Sequence, residues 1–107
     1  MQELLGRGSP PTGVYVANIN QAVGAVAAVR NAGVGVPDEL SLLCHDDDPV
    51  CEYLDVPLTA IRMPLHELGR TAVDVLLEQV DGGAPRDVEI GTAPELVHRR
   101  STGPAPR

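Results

Sequence analysis

The chain has 107 residues, enough for one domain. It is 43% apolar yet has no Trp, no Phe and only two Tyr, so a core has to be built from Val, Leu, Ala and Ile. Fifteen acids against eight basic residues, all of them Arg, give a net charge of −7, which argues against this chain gripping a phosphate backbone by itself. No apolar run reaches the roughly 18 residues of a membrane span, and the first residues lack the apolar stretch of a signal peptide. Cys44 and Cys51 accordingly read as reduced thiols of a cytoplasmic protein.

Gln2 to Leu5 suits a last helical turn, and Gly6, Gly8, Pro10, Pro11 and Gly13 form a breaker-rich loop. Val14-Tyr15-Val16-Ala17 is a short β-favouring run that ends at Asn18. From Asn20 to Ala32 the apolar residues Ala22, Val23, Val26, Ala27 and Val29 recur at helical spacing. Asn18 or Asn20 can supply the N-cap oxygen. Gly33 sits where a left-handed residue closes a helix, with Val34 as the apolar contact. With Arg30 its one charge, this helix is expected to be covered on more than one face.

Pro37-Asp38-Glu39 leads into the strand Leu40 to Cys44, which is apolar apart from Ser41. That pattern belongs to a parallel strand covered on both faces, and strand-helix-strand order with short links predicts a βαβ unit. Asp48-Pro49 starts a helix that Asp55-Val56-Pro57 keeps short. Thr59 to Met63 is the next strand. Pro64 opens a helix over Leu65 to Val80, with the apolar stripe Leu65, Leu68, Ala72, Val75, Leu76 and Val80. Arg70 and Asp74 lie four apart on its polar side. Gly82-Gly83 stops it. Asp87 to Ile90 and Glu95 to Arg99 read as short strands, and Ser101 to Arg107 as a disordered tail. The fold class is α/β, a partial doubly wound, mostly parallel sheet.

In such sheets ligands bind beyond the carboxyl ends of the strands. Asn18 follows the first strand and Asp46 the second. If the strands are neighbours, an amide and a carboxylate enter one space, which suits a small hydroxyl-bearing ligand such as a sugar or nucleoside. The competing reading makes Asn18 a helix cap and Asp46 a turn cap, the commonest uses of both residues. The run Cys44-His45-Asp46-Asp47-Asp48 with Cys51 holds metal-binding residue types, but its spacing fits no zinc motif and strand neighbours face opposite ways, so Cys44 is expected in the core and His45 partly exposed. Asp46 and Asp47 lack the positioned nucleophile of a hydrolase. Gly33-Val34-Gly35 precedes a strand, whereas a dinucleotide loop follows one. No enzyme, metal or cofactor is therefore expected. Arg99-Arg100 is too small a basic patch for nucleic acid.

Three groups of residues, in order, resemble LacI/GalR-type transcriptional regulators. They are Pro11 to Asn18 with Ala22-Val23-Gly24-Ala25, Arg30 to Leu43 with Asp46-Asp47, and Pro57-Leu58-Thr59-Ala60-Ile61-Arg62 with the ending Glu95-Leu96-Val97, Arg99 to Thr102. The resemblance implies the C-terminal lobe of a two-lobed, periplasmic-binding-protein-like effector domain over residues 1–100. The effector, a small polar molecule and in the first place a sugar, would contact Asn18 and Asp46. The helix Asn20 to Ala32 would contribute to a homodimer face. The helix Leu65 to Val80 would pack on an N-terminal lobe, and DNA would be read by a helix-turn-helix that nothing in these residues resembles. No membrane contact is implied. Three positions depart from the family pattern: Ile19 replaces an Asp, Cys44-His45 replaces Gly-Tyr/Phe, and Met63 replaces a Gln. The Cys44 side chain is expected to narrow the space beside the strand end. The alternatives are a half-domain of a sugar solute-binding protein, which would need an export signal, or a truncated product without ligand activity.

Overall fold

The computed structural model describes residues 1–106. In chain order the elements are α1 (Gln2–Leu5), β1 (Gly13–Val16), α2 (Ile19–Asn31), β2 (Ser41–Cys44), a 3-10 turn (Pro49–Glu52), β3 (Thr59–Arg62), α3 (Leu65–Val80) and β4 (Glu95–Val97). The strands form one sheet in the order β1-β2-β3-β4. β1 pairs with β2 and β2 with β3, both in parallel, so the expected strand-helix-strand unit is present. The chain divides into two compact units, Met1–Arg62 with the chain from Leu96 onward, and Met63–Glu95.

In the larger unit the core lies between α2 and the sheet. Ala22, Ala25, Val26 and Val29 of α2 pack with Val16, Leu40, Leu42, Cys44, Cys51, Leu58 and Ala60. These side chains are small, as a chain without Phe or Trp requires. The cover is one-sided. Leu42 and Cys44 are buried while Leu43 is half-buried, and Asn20, Gln21, Val23 and Gly24 of α2 are exposed. The expectation that β2 and α2 are each covered on more than one face is not met, because α2 is the one long helix in this unit and buries a single face.

Local chemistry explains where α2 begins and ends. Asn18 is in extended conformation and its side chain accepts a hydrogen bond from Gln21 N at 3.0 Å. At the other end Gly33 has φ +70°. Val34 N donates to Val29 O at 3.2 Å and Gly33 N to Arg30 O at 3.0 Å, the paired bonds that satisfy the last carbonyls of a helix.

The segment Arg99 to Gly103 is packed, although Ser101 was expected to begin a disordered tail. Ser101 is fully buried. Its hydroxyl donates to Leu42 O at 2.5 Å and accepts from Thr59 N at 2.8 Å, while its carbonyl accepts from Leu42 N at 2.7 Å. β2 and β3 pair only through Leu43 with Thr59 and Cys44 with Ala60. Ser101 supplies the polar partners that the two strands do not supply to each other there, as buried backbone groups require.

In the second unit α3 has the predicted bounds but no buried residue. Glu67 accepts from Gly91 N at 3.3 Å, and Arg86 forms a two-point ion pair with Glu78 through Nε (2.9 Å) and Nη2 (3.0 Å). No Arg70–Asp74 pair forms among the described residues; Glu78 with Arg86 is the ion pair on this helix. At Gly83, whose N donates to Glu78 O at 2.8 Å, a Cβ would stand 2.7 Å from that same oxygen, so the stop needs glycine. Residues 87–90 form no strand.

Candidate effector site

The parallel register brings the ends of β1 and β2 level, with Val16 beside Cys44. His45 N extends the ladder to Val16 O at 2.9 Å. Immediately beyond lie Asn18 and Asp46, both half-buried. The Asp46 carboxylate reaches across to the start of α2 and accepts from Ile19 N through Oδ2 at 3.3 Å. A negative charge is favoured there by the unpaired amides and dipole of the helix start. Asp46, two residues beyond β2, thereby places a carboxylate at the start of α2, where the chain itself has no acid in the first turn.

The capping reading is correct for Asn18, and it leaves the residue chemically useful. Its Oδ1 is engaged by Gln21 N, so its amide nitrogen is the group left to donate. Asp46 uses Oδ2 on Ile19 N, so Oδ1 is the group left to accept. A donor and an acceptor side by side match a hydroxyl group, which does both. Tyr15 of β1 and His45, the residue after β2, pair with each other near the same strand ends. Their rings meet edge to face at 6.1 Å, and Tyr15 Oη lies 2.5 Å from His45 Nδ1.

The rest of the acidic run is distributed among separate tasks. Cys44 and Cys51 are both fully buried. Burial pushes both thiols above their ordinary range, which disfavours the thiolate a soft metal needs. Cys44 is part of the core cluster, as expected from its alternation along the strand. His45 is partly exposed. Cys51 Sγ donates to Asp46 O at 3.6 Å, and Asp48 caps the 3-10 turn by accepting from Val50 N at 2.9 Å.

Asp47 is the residue whose role the sequence reading missed. Its side chain is 5% exposed and faces two arginines. Oδ2 accepts from Arg62 Nε at 2.8 Å and lies 2.7 Å from Arg62 Nη2. Oδ1 lies 2.7 Å from Arg99 Nη2, a charge contact rather than an aligned hydrogen bond. Arg99 is further held by Nη1 on Leu58 O at 2.8 Å and by its backbone N on Thr59 Oγ1 at 3.0 Å. Burial pushes the Asp47 carboxyl upward, but Arg99 and Arg62 outweigh it and hold the group below its usual range. No spacing rule links Asp47 to Arg62 or Arg99; the only sequence signal was an acid too many at the strand end.

A parallel α/β unit with polar side chains gathered at the carboxyl ends of adjacent strands is the architecture of periplasmic-binding-protein-like domains. Residues 1–102 match the family described as periplasmic binding protein-like domain. Over 103 residues the chain is 40% identical to the HTH-type transcriptional regulator MalR of Streptomyces coelicolor, covering 96% of this chain and 29% of that protein. Among solved structures it is similar to a LacI family transcriptional regulator from Bifidobacterium animalis, with TM-score 0.84, 31% identity and coverage of 97% of this chain and 38% of that one. It is also similar to a LacI family regulator from Enterococcus faecium with bound ribose, with TM-score 0.72, 31% identity and coverage of 98% and 38%. The chain belongs to the periplasmic-binding-protein-like domain family, in the form carried by LacI-type transcriptional regulators.

Proposed function

We propose that these residues form the effector-sensing and dimerisation part of a LacI-type DNA-binding regulator acting in the cytoplasm, with a sugar as effector. The observation that carries the reading is the juxtaposition of the Asn18 amide donor and the Asp46 carboxylate acceptor at the ends of two paired parallel strands. A vicinal diol can accept from the first and donate to the second. The ribose bound by the Enterococcus faecium regulator supports the ligand class. The second wall of the cleft would come from an N-terminal lobe, on which the apolar side of α3 would pack. A helix-turn-helix outside these residues would read DNA. The exposed side of α2 carries one charge, Arg30, already paired with Asp55 at 2.6 Å, which suits a homodimer face. Effector binding would act by favouring one arrangement of the two lobes.

The test is a panel of mono- and disaccharides, including ribose, galactose and maltose, titrated into isotope-labelled chain. One wall of a cleft is expected to bind weakly, with a dissociation constant of about 1 mM or above. The Asn18 side-chain amide resonances should shift. Asp46→Asn should weaken binding about tenfold, the loss expected for a hydrogen bond to a charged acceptor. A panel in which no sugar moves the Asn18 side chain, or in which Asp46→Asn binds as well as the parent, overturns the reading.

A further inference from the structure

Asp47 stands at a junction that neither the core nor the effector pair explains. Arg62 is the last residue before the chain leaves the larger unit, and Arg99 comes shortly after it returns at Leu96. Both guanidinium groups are drawn onto one nearly buried carboxylate. Asp47 therefore contacts both the last residue of β3 and the segment just after β4, and the residue preceding it in sequence is Asp46.

The turn that holds Asp46 and Asp47 is tied at several points. The Asp46 carbonyl is bonded by the Cys51 thiol and the next turn is capped by Asp48. Arg99 is braced as well: its Nη1 donates to Leu58 O, its backbone N to Thr59 Oγ1, and the Nη2 that faces Asp47 also reaches Glu52 at 3.5 Å. A simple surface ion pair has none of this bracing. Arg30 with Asp55, whose side chains are 65% and 59% exposed, is the comparison within the same unit.

We propose that Asp47 is a positioning residue that ties the Asp46 loop to the end of β3 and to the segment after β4, so that a ligand pulling on the Asp46 carboxylate displaces Arg62 and Arg99 together. The identity of that ligand rests on the effector reading above, but the mechanical link does not. It is tested without any ligand, so its failure is distinguishable from failure of the sugar titration.

The experiment is a double-mutant cycle on the full 107-residue chain, read by amide hydrogen exchange at residues 61–63 and 97–99. Asp46→Asn perturbs the effector side while keeping its shape. In the parent it is expected to change exchange at both segments by about threefold or more, and in an Asp47→Asn background to add nothing, the non-additivity that marks coupled residues. Equal effects of Asp46→Asn in both backgrounds, or no effect in the parent, overturn the proposal. A residue that only stabilises the fold would raise exchange everywhere and give additive effects. If Asp47→Asn fails to fold, Arg62→Gln takes its place, leaving the Arg99 contact intact. The response to Asp46→Asn should then vanish at 61–63 and persist at 97–99; persistence at 61–63 overturns the link. Arg30→Gln, outside this network, should leave both responses unchanged.

Discussion

At Asp47 the balance between burial and pairing can be read through pH. The carboxyl is held below its ordinary value of 3.8 by Arg99 and Arg62 against the opposing effect of burial. Its contribution to stability is therefore fully present above that ordinary value and is lost as pH falls through the depressed one. Asp47→Asn, which does not titrate, should cost about 3 kcal/mol near neutral pH, since it leaves the poorly exposed Arg99 without its main counter-charge. The gap between parent and variant in urea unfolding should stay flat above about pH 5 and shrink below about pH 4. A gap that widens on acidification would show that the pair opposes folding. The exposed Arg30–Asp55 pair is the contrast, with an expected effect below about 1 kcal/mol that fades with salt.

Among the elements, the helices carry their signals locally and are legible in the residues themselves. α3 begins after Pro64 and ends before Gly82-Gly83 as its periodicity and breakers require, and α2 is framed by Asn18 and Gly33. Segments whose conformation depends on distant partners are not legible in this way. Ser101 to Gly103 has the composition of a loose tail, yet Ser101 bridges β2 and β3. The strand expected at 87–90 does not form, while Glu95–Val97 joins the sheet. β-propensity alone does not decide pairing; a neighbouring edge does. Ser101→Ala is expected to cost about 1–3 kcal/mol because it strands the buried Thr59 N–H and Leu42 carbonyl. Denaturant unfolding measures it, and a loss within a few tenths of a kcal/mol would mean that the segment is not bound as described.

For the whole molecule the main consequence is the uncovered apolar side of α3. Leu68, Leu76, Leu77 and Val80 are 44%, 59%, 55% and 74% exposed, and contiguous apolar surface of that kind promotes association. The 107-residue chain in isolation is expected to sediment with a mass that rises with concentration. Leu68→Glu together with Leu76→Glu should weaken that association by about tenfold or more. A monomer at all concentrations, unchanged by the double substitution, would show that this face needs no cover.

The order of the elements through α3, the Gly33 end of α2, the stop of α3 and the place of Asn18 and Asp46 just beyond two strands were determined by the sequence alone. Each rests on interactions within a few residues, where helical and strand periodicity and capping chemistry act. Only the tertiary structure decided that Asn18 spends its Oδ1 and Asp46 its Oδ2 on the start of α2, that Asp46 supplies the charge there, and that Asp47 joins Arg62 to Arg99. Those features depend on strands brought side by side from distant parts of the chain. Coulombic and hydrogen-bond partners are selected there by position in space, which residue spacing does not encode.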